Sequence, residues 1–161
     1  MQPKTNPQEQ REPVTNKTTS KTYLFVIIQF TSLFFIIIPF STIKHPLLGF
    51  IIVFVGLVIG FLALSKNRLG NFNIRPDIKE AGCLITDGIY RYIRHPMYTS
   101  VLLSAFGTSI VYNELFHWII FGVLFVNMIL KMLHEEKLWH CHDAAYKVYA
   151  AKTKRLVPYL F

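Results

Sequence analysis

Four stretches of this chain contain no Asp, Glu, Lys or Arg: residues 22–43, 46–65, 96–113 and 115–130. A surface helix of a soluble protein carries charges on its outer face every few residues. Runs of this length therefore constrain the fold more than any single motif. About 20 apolar residues take a helix across a hydrocarbon core of ~30 Å. The first two runs meet that length. The last two cross with end residues reaching the headgroups, or as a tight hairpin. The pattern predicts an all-α polytopic membrane protein with about four transmembrane helices, at 23–40, 47–64, 97–112 and 115–133.

The charges between the runs set the expected orientation. Four of the 17 Lys and Arg residues lie in 1–21, namely Lys4, Arg11, Lys17 and Lys21. Six lie in 65–95 and six in 131–161, whereas the loop at 41–46 holds only Lys44. Positive charge accumulates on the cytoplasmic side, so both termini and the long middle segment are expected there. In a bacterium the membrane would be the inner one. The net charge of +8 then reads as a topology signal, and no nucleic-acid partner is expected. Cys83 and Cys141 fall on the cytoplasmic side and are expected as reduced thiols. Residues 1–21 are rich in Pro, Gln, Asn and Thr, bury little apolar surface, and are expected to be a disordered polar tail. Residues 22–161 make one domain, and the first span is too long and too far from the start to be a signal peptide.

Spans one and two read as a hairpin joined by a short loop that carries His45-Pro46. Gly56 and Gly60 are four apart, so they share a helix face and allow close packing. The segment 65–95 is too long for a passive connection, and Thr86-Asp87-Gly88 reads as a turn within it. Pro96 suits the first position of a helix, where its missing N–H costs nothing. Spans three and four form a second hairpin. Helix is expected to continue through 131–154 as a C-terminal extension, with Tyr146 and Tyr149 on one face.

Three polar constellations stand out. One is Tyr90-Arg91-Tyr92-Ile93-Arg94-His95-Pro96-Met97-Tyr98, at the mouth of span three. A second is His134-Glu135-Glu136, two adjacent carboxylates at the inner end of span four, which need cations or a ligand beside them. The third is Tyr146-x-x-Tyr149-x-x-x-Thr153-x-Arg155-Leu156-x-Pro158. His134, Glu135, His140, Cys141 and His142 cluster in sequence, but a zinc-binding helix needs His at i+4 and position 138 is Leu138, so no metal is expected.

Together these segments resemble the isoprenylcysteine carboxyl methyltransferase family, which is akin to the phospholipid N-methyltransferases. The resemblance runs over about 66–161 and rests on Leu84-Ile85-Thr86-x-Gly88-x-Tyr90-Arg91-x-x-Arg94-His95-Pro96-x-Tyr98, then Glu135-Glu136-x-Leu138, then the third constellation. It implies a membrane methyltransferase that uses S-adenosyl-L-methionine, held by a cytoplasmic loop and the end of span four. Carried over, the cofactor contacts are Arg75, Gly82, Cys83, Leu84, Ile85, Tyr90, Arg94, His95, Pro96, Tyr98, Glu135 and Glu136. His95 or Glu136 would be the base for an acceptor that must lose a proton. The family's carboxyl methyltransferases place an arginine four residues before the glutamate matched by Glu136. Here that position is Met132, with Lys131 next to it. Lys131, Met132, Tyr146 and Tyr149 are the expected acceptor contacts, and the acceptor is a lipophilic carboxylate, amine or thiol entering from the bilayer. Two other readings stand beside this one: an NADPH-dependent intramembrane reductase, and a non-enzymatic adaptor whose basic face binds anionic lipid.

Overall fold

The structure is a computed structural model in which residues 20–39, 41–67, 84–142 and 144–158 are described. Arg75, Gly82 and Cys83 lie outside the described residues, as does the 1–19 part of the polar tail. The chain forms helices α1 (Ser20–Ile37), α2 (Pro46–Lys66), α3 (Pro96–Tyr112), α4 (Leu115–His142) and α5 (Ala144–Lys152), with a 3₁₀ turn at Gly88–Arg91 between α2 and α3. There is no strand among the described residues, only an isolated parallel bridge between Ile93 and Lys154. Pro46–Lys66 and Leu115–Cys141 are long and apolar enough to cross a membrane. The apolar part of α1, Thr22–Ile37, is shorter, and α3 has 17 residues.

Both α2 and α3 begin with a proline that follows a histidine. His45 and His95 hold extended-side backbone angles, φ −128° and −122°, as expected for a residue whose helical conformation the following proline disfavours. The turn from α3 to α4 is closed by Asn113 in the left-handed region at φ 48°, a conformation that Asn tolerates at a helix end.

α2 and α3 run antiparallel in intimate contact. A Cβ on Gly49 would come within 2.4 Å of Val111 Cγ2, and one on Gly107 within 2.7 Å of the Gly49 carbonyl. Gly56 and Gly60 face Ser104 and Ser100 in the same way. The small residues read from the sequence as a packing face do pack, but against α3. α1 does not form a hairpin with α2; it lies on α4 and, to a smaller extent, on α3. Apolar runs encode length and not partner, which is why the hairpin read from adjacency in the sequence missed the docking of α1 on α4. The α1–α4 seam has two polar rungs: Asn127 Nδ2 donates to the Phe25 carbonyl at 3.1 Å, and Lys131 Nζ donates to Gln29 Oε1 at 2.7 Å. Around it lies the apolar core of Ile36, Leu102, Ala105, Leu124, Met128, Met132 and Leu156.

In the C-terminal extension α4 is described to His142 and α5 over Ala144–Lys152, so helix lies on both sides of residue 143, which is outside the described residues. After Lys152 the chain turns back across the start of α3. There Arg94 N donates to the Lys154 carbonyl at 2.7 Å, His95 N to the Arg155 carbonyl at 3.0 Å, and Lys154 N to the Tyr92 carbonyl at 3.1 Å. Thr99 Oγ1 adds a 2.8 Å bond to the Leu156 carbonyl. Residues 153–156 thus form a strap over the end of the bundle.

Candidate functional site

The strap, the start of α3 and the last turns of α4 meet around Glu136, whose side chain is only 6% exposed. Glu136 Oε1 accepts from Arg94 Nε at 2.9 Å and lies 3.3 Å from His95 Nε2. Its Oε2 accepts from Arg155 Nε at 2.8 Å. Both carboxylate oxygens are therefore engaged, by groups from two segments far apart in the chain. Arg94 is fixed further by its Nη1, which donates to the carbonyls of Ala150 and Thr153. A buried carboxylate is stable only with such partners, and two guanidiniums around one carboxylate leave a local excess of positive charge. If His95 donates through Nε2 to this carboxylate, its Nδ1 is the nitrogen with the free lone pair.

One residue away, Glu135 points to a different group. Its Oε2 accepts from the Tyr98 hydroxyl at 2.6 Å. The Tyr98 ring stacks on His95, with centroids 5.3 Å apart and planes 11° apart. Lys131 Nζ lies 5.3 Å from the centre of the same ring. Lys131 and Glu135 are four apart on α4 and so share a face. The adjacent carboxylates thus serve two arms: Glu136 holds the arginines and His95, and Glu135 holds Tyr98.

The aromatic residues form a second wall. Tyr149 donates its hydroxyl to the Tyr90 carbonyl at 2.6 Å. Burial, aided by the charge of Glu135, pushes the Tyr90 phenol up to about 12, so it stays protonated in ordinary buffers. Tyr146 and Tyr149 meet edge to face at 6.0 Å, consistent with their shared face on α5. Tyr146 stacks on Trp139, is only 3% exposed, and its hydroxyl has no hydrogen-bond partner among the described residues.

Of the residues singled out in the sequence, Tyr90, Arg94, His95, Tyr98, Lys131, Glu135, Glu136, Tyr146 and Tyr149 gather at this end of the bundle. Pro96 is buried as the first residue of α3. Leu84 and Ile85 are half-buried in the segment leading to the 3₁₀ turn. Met132 is fully buried and belongs to the apolar core that includes Met128 and Ile36, against which Tyr98 also packs. Arg155 lies in the third constellation; the need of two adjacent carboxylates for cations called for a basic partner there without singling out Arg155. Gln29 and Thr99 carried no signal, because a single Gln or Thr in an apolar run reads as ordinary helix.

Comparisons with known proteins bear on the family of the chain. Residues 44–142 match the family model described as phospholipid methyltransferase. Among curated proteins, the chain is similar to a probable protein-S-isoprenylcysteine O-methyltransferase of Oryza sativa subsp. indica and to its namesake in subsp. japonica. Each is 28% identical over 115 residues, which is 70% of this chain. The match spans 60% of the length of these relatives. With the family match covering more than half of the chain, including α2, α3, α4 and the Arg94-His95 and Glu135-Glu136 pairs, this protein belongs to the phospholipid methyltransferase family.

Proposed function

We propose that the protein is a four-span integral-membrane methyltransferase that uses S-adenosyl-L-methionine and methylates a lipophilic acceptor at the cytoplasmic membrane surface. The observation that carries this reading is the buried clamp of Arg94, His95 and Arg155 on Glu136. It lies where two separate polar motifs of the family pattern meet. Both termini and the segment 65–95 face the cytoplasm in this reading, because they hold nearly all the positive charge.

The residues present fit such a cofactor. The buried Tyr146 hydroxyl, without a partner among the described residues, faces the acceptor side in this reading and suits a polar group there. Glu135 is the carboxylate for an ammonium or for ribose hydroxyls, and the Nη2 donors of Arg94 suit a carboxylate. The Tyr90 ring offers a π face to a sulfonium. Arg75, Gly82, Cys83, Leu84, Ile85, Pro96 and Tyr98 complete the proposed cofactor surface. Lys131, Met132, Tyr146 and Tyr149 line the acceptor side.

When bound, the cofactor supplies an electrophilic methyl group for in-line displacement. The protein's part is alignment and exclusion of water. A carboxylate acceptor needs no base. An amine or thiol acceptor gives its proton to His95 Nδ1, whose ring is oriented by Glu136. Glu136 itself, held by two guanidiniums, is a weak base and acts as the positioning residue.

Calorimetric titration of the purified protein tests the reading. S-adenosylmethionine binds the unaltered protein, and Glu136→Gln and His95→Ala each weaken binding by about tenfold or more, as expected for losing charge-assisted contacts. NADPH gives no heat. Unchanged cofactor affinity in both variants would sink the site assignment.

A further inference from the structure

α1 precedes the residues matched by the family model, which begin at 44, yet it reaches the site. α1 and α4 run antiparallel, with Phe25 against His134 and Phe35 against Phe116 at ring-centre distances of 6.1 and 6.4 Å. Asn127 and Lys131 bond across the seam to the Phe25 carbonyl and to Gln29. The second rung is the unusual one. Lys131 is 2% exposed, and a buried ammonium with three N–H donors must find acceptors. Gln29 Oε1 is its hydrogen-bond acceptor, and the Tyr98 ring takes a second side of the charge.

Tyr98 then divides the connection. Its hydroxyl goes to Glu135 and its ring to His95. We propose that Gln29 is a positioning residue for methyl transfer: it fixes the Lys131 ammonium against Tyr98, and so holds Tyr98 on Glu135 and His95. The inference rests on the methyltransferase reading above. It also separates the site into two parts. The Glu136 clamp takes no hydrogen bond from Gln29, Lys131 or Tyr98, but Tyr98 and Glu135 belong to the proposed cofactor surface and Tyr98 stacks on His95. Disturbing Gln29 is therefore expected to lower kcat most and to weaken cofactor binding to a smaller extent.

The test uses the full chain in detergent with tritiated S-adenosylmethionine and two acceptor probes, a total lipid extract of host membranes and N-acetyl-farnesylcysteine. Gln29→Met keeps the shape and removes the acceptor oxygen. It is expected to lower kcat about tenfold, the scale of a small misalignment, with a smaller rise in the cofactor Kd. Gln29→Glu, which keeps an oxygen at the same reach, restores most of the rate. The double variant with Lys131→Met is no slower than Lys131→Met alone, because the two residues act as one unit. Additive losses, or a Gln29→Met enzyme as fast as the unaltered one, overturn the inference and leave the methyltransferase reading standing. No label in either probe with the unaltered protein overturns that reading, and the inference with it. A fall in monodisperse protein without any change in kcat per folded molecule assigns Gln29 to packing alone and also overturns it.

Discussion

Lys44-His45-Pro46 and Arg94-His95-Pro96 start neighbouring helices at opposite ends of the bundle. Their local construction is nearly the same. In each, the cation and the histidine donate main-chain N–H groups to another segment, to Val111 in the first case and to Lys154 and Arg155 in the second. In each, the cation pairs with a glutamate, Lys44 with Glu114 at 2.7 Å and Arg94 with Glu136 at 2.9 Å. The difference is what surrounds them. The Lys44 and Glu114 side chains are 42% and 39% exposed, whereas those of Arg94 and Glu136 are 9% and 6%. His45 is exposed, while His95 is buried between Glu136 and Tyr98. The same tripeptide pattern is a helix start at one end and a site at the other. What converts it is the strap and the second carboxylate arm, neither of which has a counterpart near Lys44 among the described residues.

That contrast can be broken by parallel substitutions. The largest effect is expected from Glu136→Ala, which leaves Arg94 and Arg155 facing each other. Removing one member of a buried ionic group typically costs ~3–5 kcal/mol, with a lower share from Arg155 because it is 36% exposed. Thermal unfolding in detergent reads this directly, and Glu114→Ala in the same assay is expected to cost less than ~1 kcal/mol. Equal losses at both ends would erase the distinction. Next in size is Gly107→Ala, which tests the α2–α3 contact that fixes the two ends relative to each other. Its Cβ would meet backbone atoms of Gly49 and Val53 at 2.7–2.8 Å, and overpacking of this kind costs ~1–3 kcal/mol. A neutral or stabilised variant would mean that the helices can separate freely. Smallest is Lys44→Met, expected to change stability by under ~1 kcal/mol and less still in high salt. A salt-insensitive loss larger than that would place a second structured site at the Lys44 end.

The same comparison explains what could be read from the sequence. Helix positions followed from the charge-free runs and from Pro46 and Pro96, so their existence and limits were largely legible. Arg94-His95 and Glu135-Glu136 stood out because charges at the ends of apolar helices need partners. Sequence spacing could not say which of Lys152, Lys154 or Arg155 would close on Glu136, since that depends on where the strap crosses α3. It could not pair α1 with α4 either, because Gln29 finds Lys131 only once the helices are docked. Nor could it separate Lys44-His45-Pro46 from Arg94-His95-Pro96 on local grounds. The longer patterns around them did so, through Tyr98, four residues after Arg94, and the paired carboxylates.

The strap also orders events during biosynthesis. Arg155 and the main chain of Lys154 lie after every helix among the described residues, yet they complete the clamp on Glu136 and tie down Arg94 and His95. A ribosome delivers α1 to α4 before it delivers the residues that close the site. Helix synthesis and clamp closure are therefore successive steps, and a nascent chain stalled before Thr153 lacks the residues that finish the clamp.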